Sequence, residues 1–319
     1  MAHIEKVAIV GAGGRVGGAF AKELLRSGKH IITAITRKGS KSALPKGIKV
    51  AEVDYDDRQA LISALKGHQF LIITLSVTAP GGLHGNIVKA AGEARIPYVM
   101  PNMYGSDIQN PAIMEESMNG RAYKERLADF DGVDTSWVAL VCGFWYEWSL
   151  ALDKATFGFD IAGRSVTFYD DGNTKIDVST WDQCGRAIAR LLSLPESGAS
   201  PCVADWKNKP LYINSFKVSQ RDMLDSLHRV LGTTDKDWTI DFEPTDQRLK
   251  RGLEDWKNGN RLGFAMASYA RVLYPNGDGD FESKWGTSNQ VLGLPKEDLD
   301  EATKRVVEMV ENGWSPFKQ

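Results

Sequence analysis

Short apolar runs alternate with amphipathic stretches through the first half of the chain. Residues 7–10, 31–35, 49–53, 71–75, 98–100 and 137–141 are predominantly apolar, the pattern of strands buried on both faces. Between them, residues 16–27, 58–66, 83–94 and 120–130 place apolar side chains at helical spacing. Strands alternating with helices in this way predict an α/β fold of Rossmann type. Its doubly wound parallel sheet is covered on both faces, with right-handed crossovers.

After Val141 the rhythm changes. Residues 143–148 read Gly-Phe-Trp-Tyr-Glu-Trp, aromatic and without period. Residues 165–169 and 175–178 flank Asp170-Asp171-Gly172-Asn173, which predicts a hairpin turn. Thr180 and Gln183 fit a capping box for a helix reaching about residue 192. Residues 211–213 read as a strand, Ser219 opens a helix that ends near Gly232, and an amphipathic helix covers 296–311. There is no internal repeat and no low-complexity linker.

Composition narrows the picture. With 319 residues, 42% of them hydrophobic, the chain can bury a large core. A net charge of −2 with both signs interspersed argues against nucleic-acid and membrane partners. No apolar run is long enough to span a bilayer, and the first residues run into a strand without a signal peptide, so a cytoplasmic location is expected. Cys142, Cys184 and Cys202 are odd in number and far apart, which suits free buried thiols rather than disulfides or a zinc site. No metal site is expected. The stretch from Asn276 imitates a calcium loop but has Phe281 where glycine is needed and Thr287 where glutamate is needed.

The candidate chemistry begins at Lys6-Val-Ala-Ile-Val-Gly11-Ala-Gly13-Gly14-Arg15-Val16-Gly17-Gly18, a strand, a glycine-rich turn and a helix start. Gly11, Gly13 and Gly18 miss G-x-G-x-x-G by one position, whereas Gly11, Gly14 and Gly17 fit G-x-x-G-x-x-G. Such a turn lets backbone approach a diphosphate at the positive end of a helix, and Arg15 can add a cation. After the second strand, where an NAD-binding protein places a carboxylate for the ribose, the chain has Thr36, Arg37 and Lys38. These cations favour a 2′-phosphate, so the expected cofactor is NADP(H). Asp54, after the third strand, is either an adenine contact or a helix cap ahead of Arg58. Ser76 and Val77 follow the fourth strand, where the nicotinamide ribose should pass.

Several segments together resemble the NmrA-like and isoflavone-reductase-like group of atypical short-chain dehydrogenases, in its fungal form. They are the glycine turn, Thr36-Arg37-Lys38, Val53-Asp54-Tyr55-Asp56, Tyr98-Val-Met-Pro101-Asn-Met-Tyr104-Gly105 and Arg121-Ala-Tyr-Lys124. Residues 137–141, 180–192 and 211–220 extend the likeness over nearly the whole chain. The family implies an NADP-binding Rossmann domain, here residues 1–142 with its sheet completed by later strands. A smaller, mainly helical substrate lobe, residues 143–319, would follow. It also implies reduction of phenolic or other aromatic secondary metabolites with NADPH. Its regulator branch binds the nucleotide without turnover. The chain departs from the reductase pattern at Asn102 and Met103, where serine and glutamate are usual.

None of the nine tyrosines has lysine four positions on, so the Tyr-x-x-x-Lys apparatus of ordinary short-chain dehydrogenases is not expected. The resemblance instead puts the proton-transfer lysine at Lys124, with Pro101 and Tyr104 at the nicotinamide. His84, Phe144, Trp145, Tyr146 and Trp148 are candidates for a pocket that takes a flat aromatic substrate. The leading expectation is an NADPH-dependent reductase of such a molecule, with a homodimer as the candidate assembly. The alternatives are an NADP(H)-sensing regulator without turnover and a redox-neutral isomerase or dehydratase. No Gly-x-Ser-x-Gly elbow suggests a serine hydrolase.

Overall fold

The computed structural model describes residues 2–76 and 78–315. The first half runs β1 (Lys6–Val10), α1 (Arg15–Arg26), β2 (Ile31–Arg37), β3 (Lys49–Val53), α2 (Arg58–Leu65), β4 (Phe70–Ile73), α3 (Leu83–Glu93), β5 (Tyr98–Met100), α4 (Pro111–Glu116), α5 (Gly120–Ala128) and β6 (Ser136–Val141). The second half runs β7 (Phe144–Trp145), α6 (Tyr146–Ala151), β8 (Phe159–Asp160), β9 (Ser165–Tyr169), β10 (Ile176–Ser179), α7 (Trp181–Leu192), β11 (Lys209–Tyr212), β12 (Phe216–Val218) and α8 (Gln220–Leu231). It ends with β13 (Thr239–Glu243), α9 (Thr245–Lys257), α10 (Leu262–Val272), α11 (Phe281–Trp285) and α12 (Leu299–Glu311).

The central sheet has the order β11-β6-β5-β4-β1-β2-β3, and all its neighbours are parallel. Alternate strand residues feed opposite faces. Val7, Ile9, Ile72 and Leu140 pack with Phe20 and Leu24 of α1 and Ile188 of α7. Ala8, Val10, Leu71 and Ile73 pack with Leu61 of α2 and Ile87 of α3. Both faces are therefore dry, which is why the strands read as apolar runs rather than as alternation. The chain reverses direction across the sheet between β1 and β4, the crevice where such folds bind ligands.

The second half does not stand apart from this sheet. It supplies the edge strand β11 and lays α7 against α1. Its own core gathers Tyr146, Phe157, Phe159, Phe168, Leu227 and Val306. Two three-stranded sheets, β12-β10-β7 and β13-β9-β8, stand among its helices, so it is more mixed than the sequence pattern predicts.

The expected hairpin across residues 170–173 does not form. β9 is taken up on one side by β8 and on the other by β13, while β10 pairs with β7 and β12. Asp170 instead caps α9, its carboxylate accepting from Thr245 N at 3.0 Å and Thr245 Oγ1 at 2.6 Å. Thr180 does cap α7, accepting from Gln183 N at 3.0 Å. Cys142, Cys184 and Cys202 are free and buried. Among the described residues no helix is long and apolar enough to cross a membrane, and no cluster of His, Cys, Asp and Glu suits a metal ion.

Candidate cofactor cleft

The glycine turn joins β1 to α1 at the reversal point. Gly11 has φ +84° and accepts a hydrogen bond from Gly14 N at 2.9 Å, which closes the turn. Thr74, just past β4, is pressed against it: Thr74 Oγ1 donates to Val10 O at 2.8 Å. A Cβ on either Gly11 or Gly17 would stand 2.6 Å from Thr74 Oγ1, so neither position tolerates a side chain. A Cβ on Gly18 would meet nothing nearer than 3.6 Å. The geometry thus selects the Gly11-Gly14-Gly17 template. Gly14 is the N-cap of α1, without a side-chain cap, and the first turn, which includes Val16, holds no acidic residue. This helix start suits a diphosphate.

Arg15, at the head of α1, lies between two indoles from the far half of the chain. Its guanidinium sits 5.1 Å from the Trp148 ring and 5.2 Å from the Trp314 ring. Its Nη2 donates to Ser315 O at 3.3 Å. Burial beneath these rings draws its pKa down. The residues after α12 therefore reach back to the cofactor loop, a contact that nothing in the sequence announces. Beside Trp314 lies a cleft of about 510 Å³, walled by Trp181 of α7 and by Arg305 and Met309 of α12.

Thr36 and Arg37 end β2, and Lys38 N carries its pairing onward to Val53 O at 3.2 Å. The chain then folds over the glycine turn: a Cβ on Gly13 would stand 2.6 Å from Ser42 Cβ. The exposed cations Arg37 and Lys38 thus share a loop with Ser40 and Ser42, whose hydroxyls are 3.3 Å apart. Nothing in the sequence pattern singles out Ser40, Ser42 or Thr74, apart from the small polar run after the basic pair that holds both serines. Asp54 accepts from Asp56 N at 3.0 Å, whereas α2 is capped by Asp57, so the capping role proposed for Asp54 falls to its neighbour.

At the carboxyl ends of β4 and β5, Ser76 is exposed and its hydroxyl meets Thr78 Oγ1 at 2.9 Å. Val77 lies outside the described residues. Pro101 is buried beyond β5. Tyr104 donates its hydroxyl to Ile73 O at 2.8 Å and packs on Phe20, and burial holds its pKa well above the usual value. It can wall a ligand site, but its proton is committed.

Three sequence-predicted pocket residues are used otherwise. His84 is only 8% exposed, with Nδ1 on Asp129 and Nε2 accepting from Asn102 N, so no ring nitrogen remains for a substrate. Tyr146 is fully buried and bonds Thr303 at 2.7 Å, because its helix turns it into the core of the second half. Trp145 is half-buried against the core of the central sheet. Phe144 stacks on Tyr269 at 3.7 Å and lines a small cavity with Gly105 and Asp107. Trp148 lies beside Arg15 and packs edge-on against Trp314. On α5 the buried face is Gly120 and Tyr123. Lys124 is on the exposed face, its side chain 45% accessible and paired with Glu115.

Residues 11–133 match the NAD(P)H-binding family model. The chain is similar along most of its length to fungal proteins. The oxidoreductase aprR of Aspergillus flavus is 25% identical over 310 residues, 95% of this chain and 98% of that protein. The oxidoreductase poxI of Penicillium oxalicum is 22% identical over 311 residues, 93% of this chain and 92% of that one. Among solved structures, isoflavone reductase superposes with a TM-score of 0.72 at 19% identity, over 95% of this chain and 99% of that one. AtPrR2 with NADP+ and (+)pinoresinol gives 0.73 at 18% identity, over 96% and 100%. The NADPH-dependent quinone oxidoreductase QOR2 of Escherichia coli gives 0.66 at 19% identity, over 94% and 99%. The chain carries an NAD(P)H-binding domain, within a fold that it shares over nearly its whole length with isoflavone reductase.

Proposed function

We propose that the protein is an NADPH-dependent reductase of a flat aromatic or polycyclic small molecule. The observation that carries this reading is the loop after β2. It presents Arg37, Lys38, Ser40 and Ser42 where it folds against Gly13 of the diphosphate turn. A 2′-phosphate on the adenosine ribose would meet two cations and two hydroxyls there, and no acidic side chain of β2 opposes it. The names of the fungal relatives, both oxidoreductases, support turnover over pure sensing.

NADPH, when bound, supplies the hydride. The chain's own residues orient and shelter the reaction. Gly11, Gly14 and Gly17 give the backbone its close approach, with Arg15 as a cation beside the diphosphate. Trp181 and Trp314 offer aromatic faces to the adjoining cleft of about 510 Å³, and Trp148 packs edge-on against Trp314. Lys124 is our candidate for the accompanying proton transfer, and the role requires it to leave Glu115 when substrate binds.

Arg37→Glu tests the cofactor half of the reading. It should weaken NADPH about tenfold to a hundredfold and leave NADH nearly unchanged, as measured by tryptophan fluorescence. Equal losses for both cofactors would discard the phosphate site. Lys124→Met tests the proton step on a substrate found by screening. Turnover should fall at least about a hundredfold with NADPH affinity intact. Full turnover would move the proton source elsewhere.

A further inference from the structure

β4 and β5 pair in parallel up to Ile72 opposite Met100. The next residue after β5 is Pro101, which has no N–H to offer the ladder. A side chain takes over. Asn102 Oδ1 accepts from Leu75 N at 3.1 Å and its Nδ2 donates to Leu75 O at 3.2 Å. A primary amide carries acceptor and donor side by side, so it reproduces the two-bond contact of a neighbouring strand.

The backbone of Asn102 is held as firmly. Its N–H donates to His84 Nε2 at 3.3 Å, and its carbonyl accepts from Arg126 Nη1 at 2.5 Å. His84 Nδ1 donates to Asp129 at 2.7 Å, which sets the ring's tautomer and leaves Nε2 as the acceptor. Asp129 approaches α3 this closely because residue 85 is glycine: a Cβ there would stand 2.5 Å from Asp129 Oδ1. One residue thus ties the end of β4 to the starts of α3 and to α5.

We infer that Asn102 is a positioning residue for the nicotinamide half of the cofactor, acting through the backbone of Leu75. The inference rests on the NADPH reading of the cleft. The basic loop lies on another segment, and beside the diphosphate turn Thr74 keeps its own bonds to Val10 O, so loosening Leu75 acts first on the nicotinamide end rather than on overall affinity. A residue that served only folding would not separate them.

The test uses full-length protein and NADPH as the probe, with wild type, Asn102→Ala and Asn102→Asp. Aspartate keeps the acceptor for Leu75 N and loses the donor to Leu75 O. Affinity is read from tryptophan quenching, and nicotinamide order from the emission anisotropy of the bound dihydronicotinamide. In Asn102→Ala the dissociation constant should change less than about threefold while the anisotropy drops toward that of free NADPH. Asn102→Asp turns a carboxylate oxygen toward Leu75 O, so the anisotropy should drop at least as far as in the alanine variant, and it decides the matter if that variant does not fold. Wild-type anisotropy in both variants overturns the inference, as does an affinity loss above about tenfold with the remaining complex fully ordered. Absence of NADPH binding in the wild type would instead refute the cofactor reading itself.

Discussion

Gly17→Ala would set a methyl group 2.6 Å from Thr74 Oγ1, whereas Gly18→Ala would meet nothing nearer than 3.6 Å. The first should cost about 1–3 kcal/mol of stability and most of the NADPH affinity, and the second should be near neutral. Urea unfolding and cofactor titration of the two variants check this. At this scale the glycine spacing was legible because a tight diphosphate turn admits few residue types. Thr74 was not legible, since it falls inside the apolar run 71–75, which reads as strand, whereas β4 ends at Ile73. The facing of α5 is legible in its spacing: Gly120 and Tyr123 lie three apart as an inward stripe, which leaves Lys124 outside. His84 read as a ligand-facing side chain because its partners Asp129 and Asn102 are distant in sequence.

Elements are joined by buried polar groups as much as by apolar faces. Glu147 of α6 accepts from Trp181 N at the head of α7 at 3.2 Å and lies 3.4 Å from Arg305 of α12. Burial pushes its pKa from 4.5 up to about 6. Between those values the native chain keeps a proton that the unfolded chain has lost, so this group lowers stability as pH rises through the window. Glu147→Gln removes that slope. From pH 4 to pH 7 the variant should gain on wild type by up to about 2 kcal/mol, read from unfolding midpoints at each pH. A constant difference would mean that Glu147 titrates normally. The parallel strands were legible in the sequence because both faces are dry. The failed hairpin shows the limit of local signals: Asp170-Asp171-Gly172-Asn173 has hairpin composition, but the partners of β9 and β10 come from remote segments.

The whole molecule is one interdependent structure built around the reversal point of its sheet. β11 completes that sheet, α7 covers α1, and Trp314 closes on Arg15, all from the second half. A fragment of residues 1–142 would expose the apolar face that α7 covers, and it should show no cooperative unfolding by circular dichroism. A sharp thermal transition in that fragment would contradict the interdependence. The proposed cofactor choice rests on the loop after β2, which would select a phosphorylated ribose. The most direct measurement is the affinity of the purified chain for NADPH and NADH side by side, by tryptophan fluorescence. A preference for NADPH of at least about tenfold, equivalent to about 1.4 kcal/mol, is expected. Equal affinities, or a preference for NADH, would contradict it.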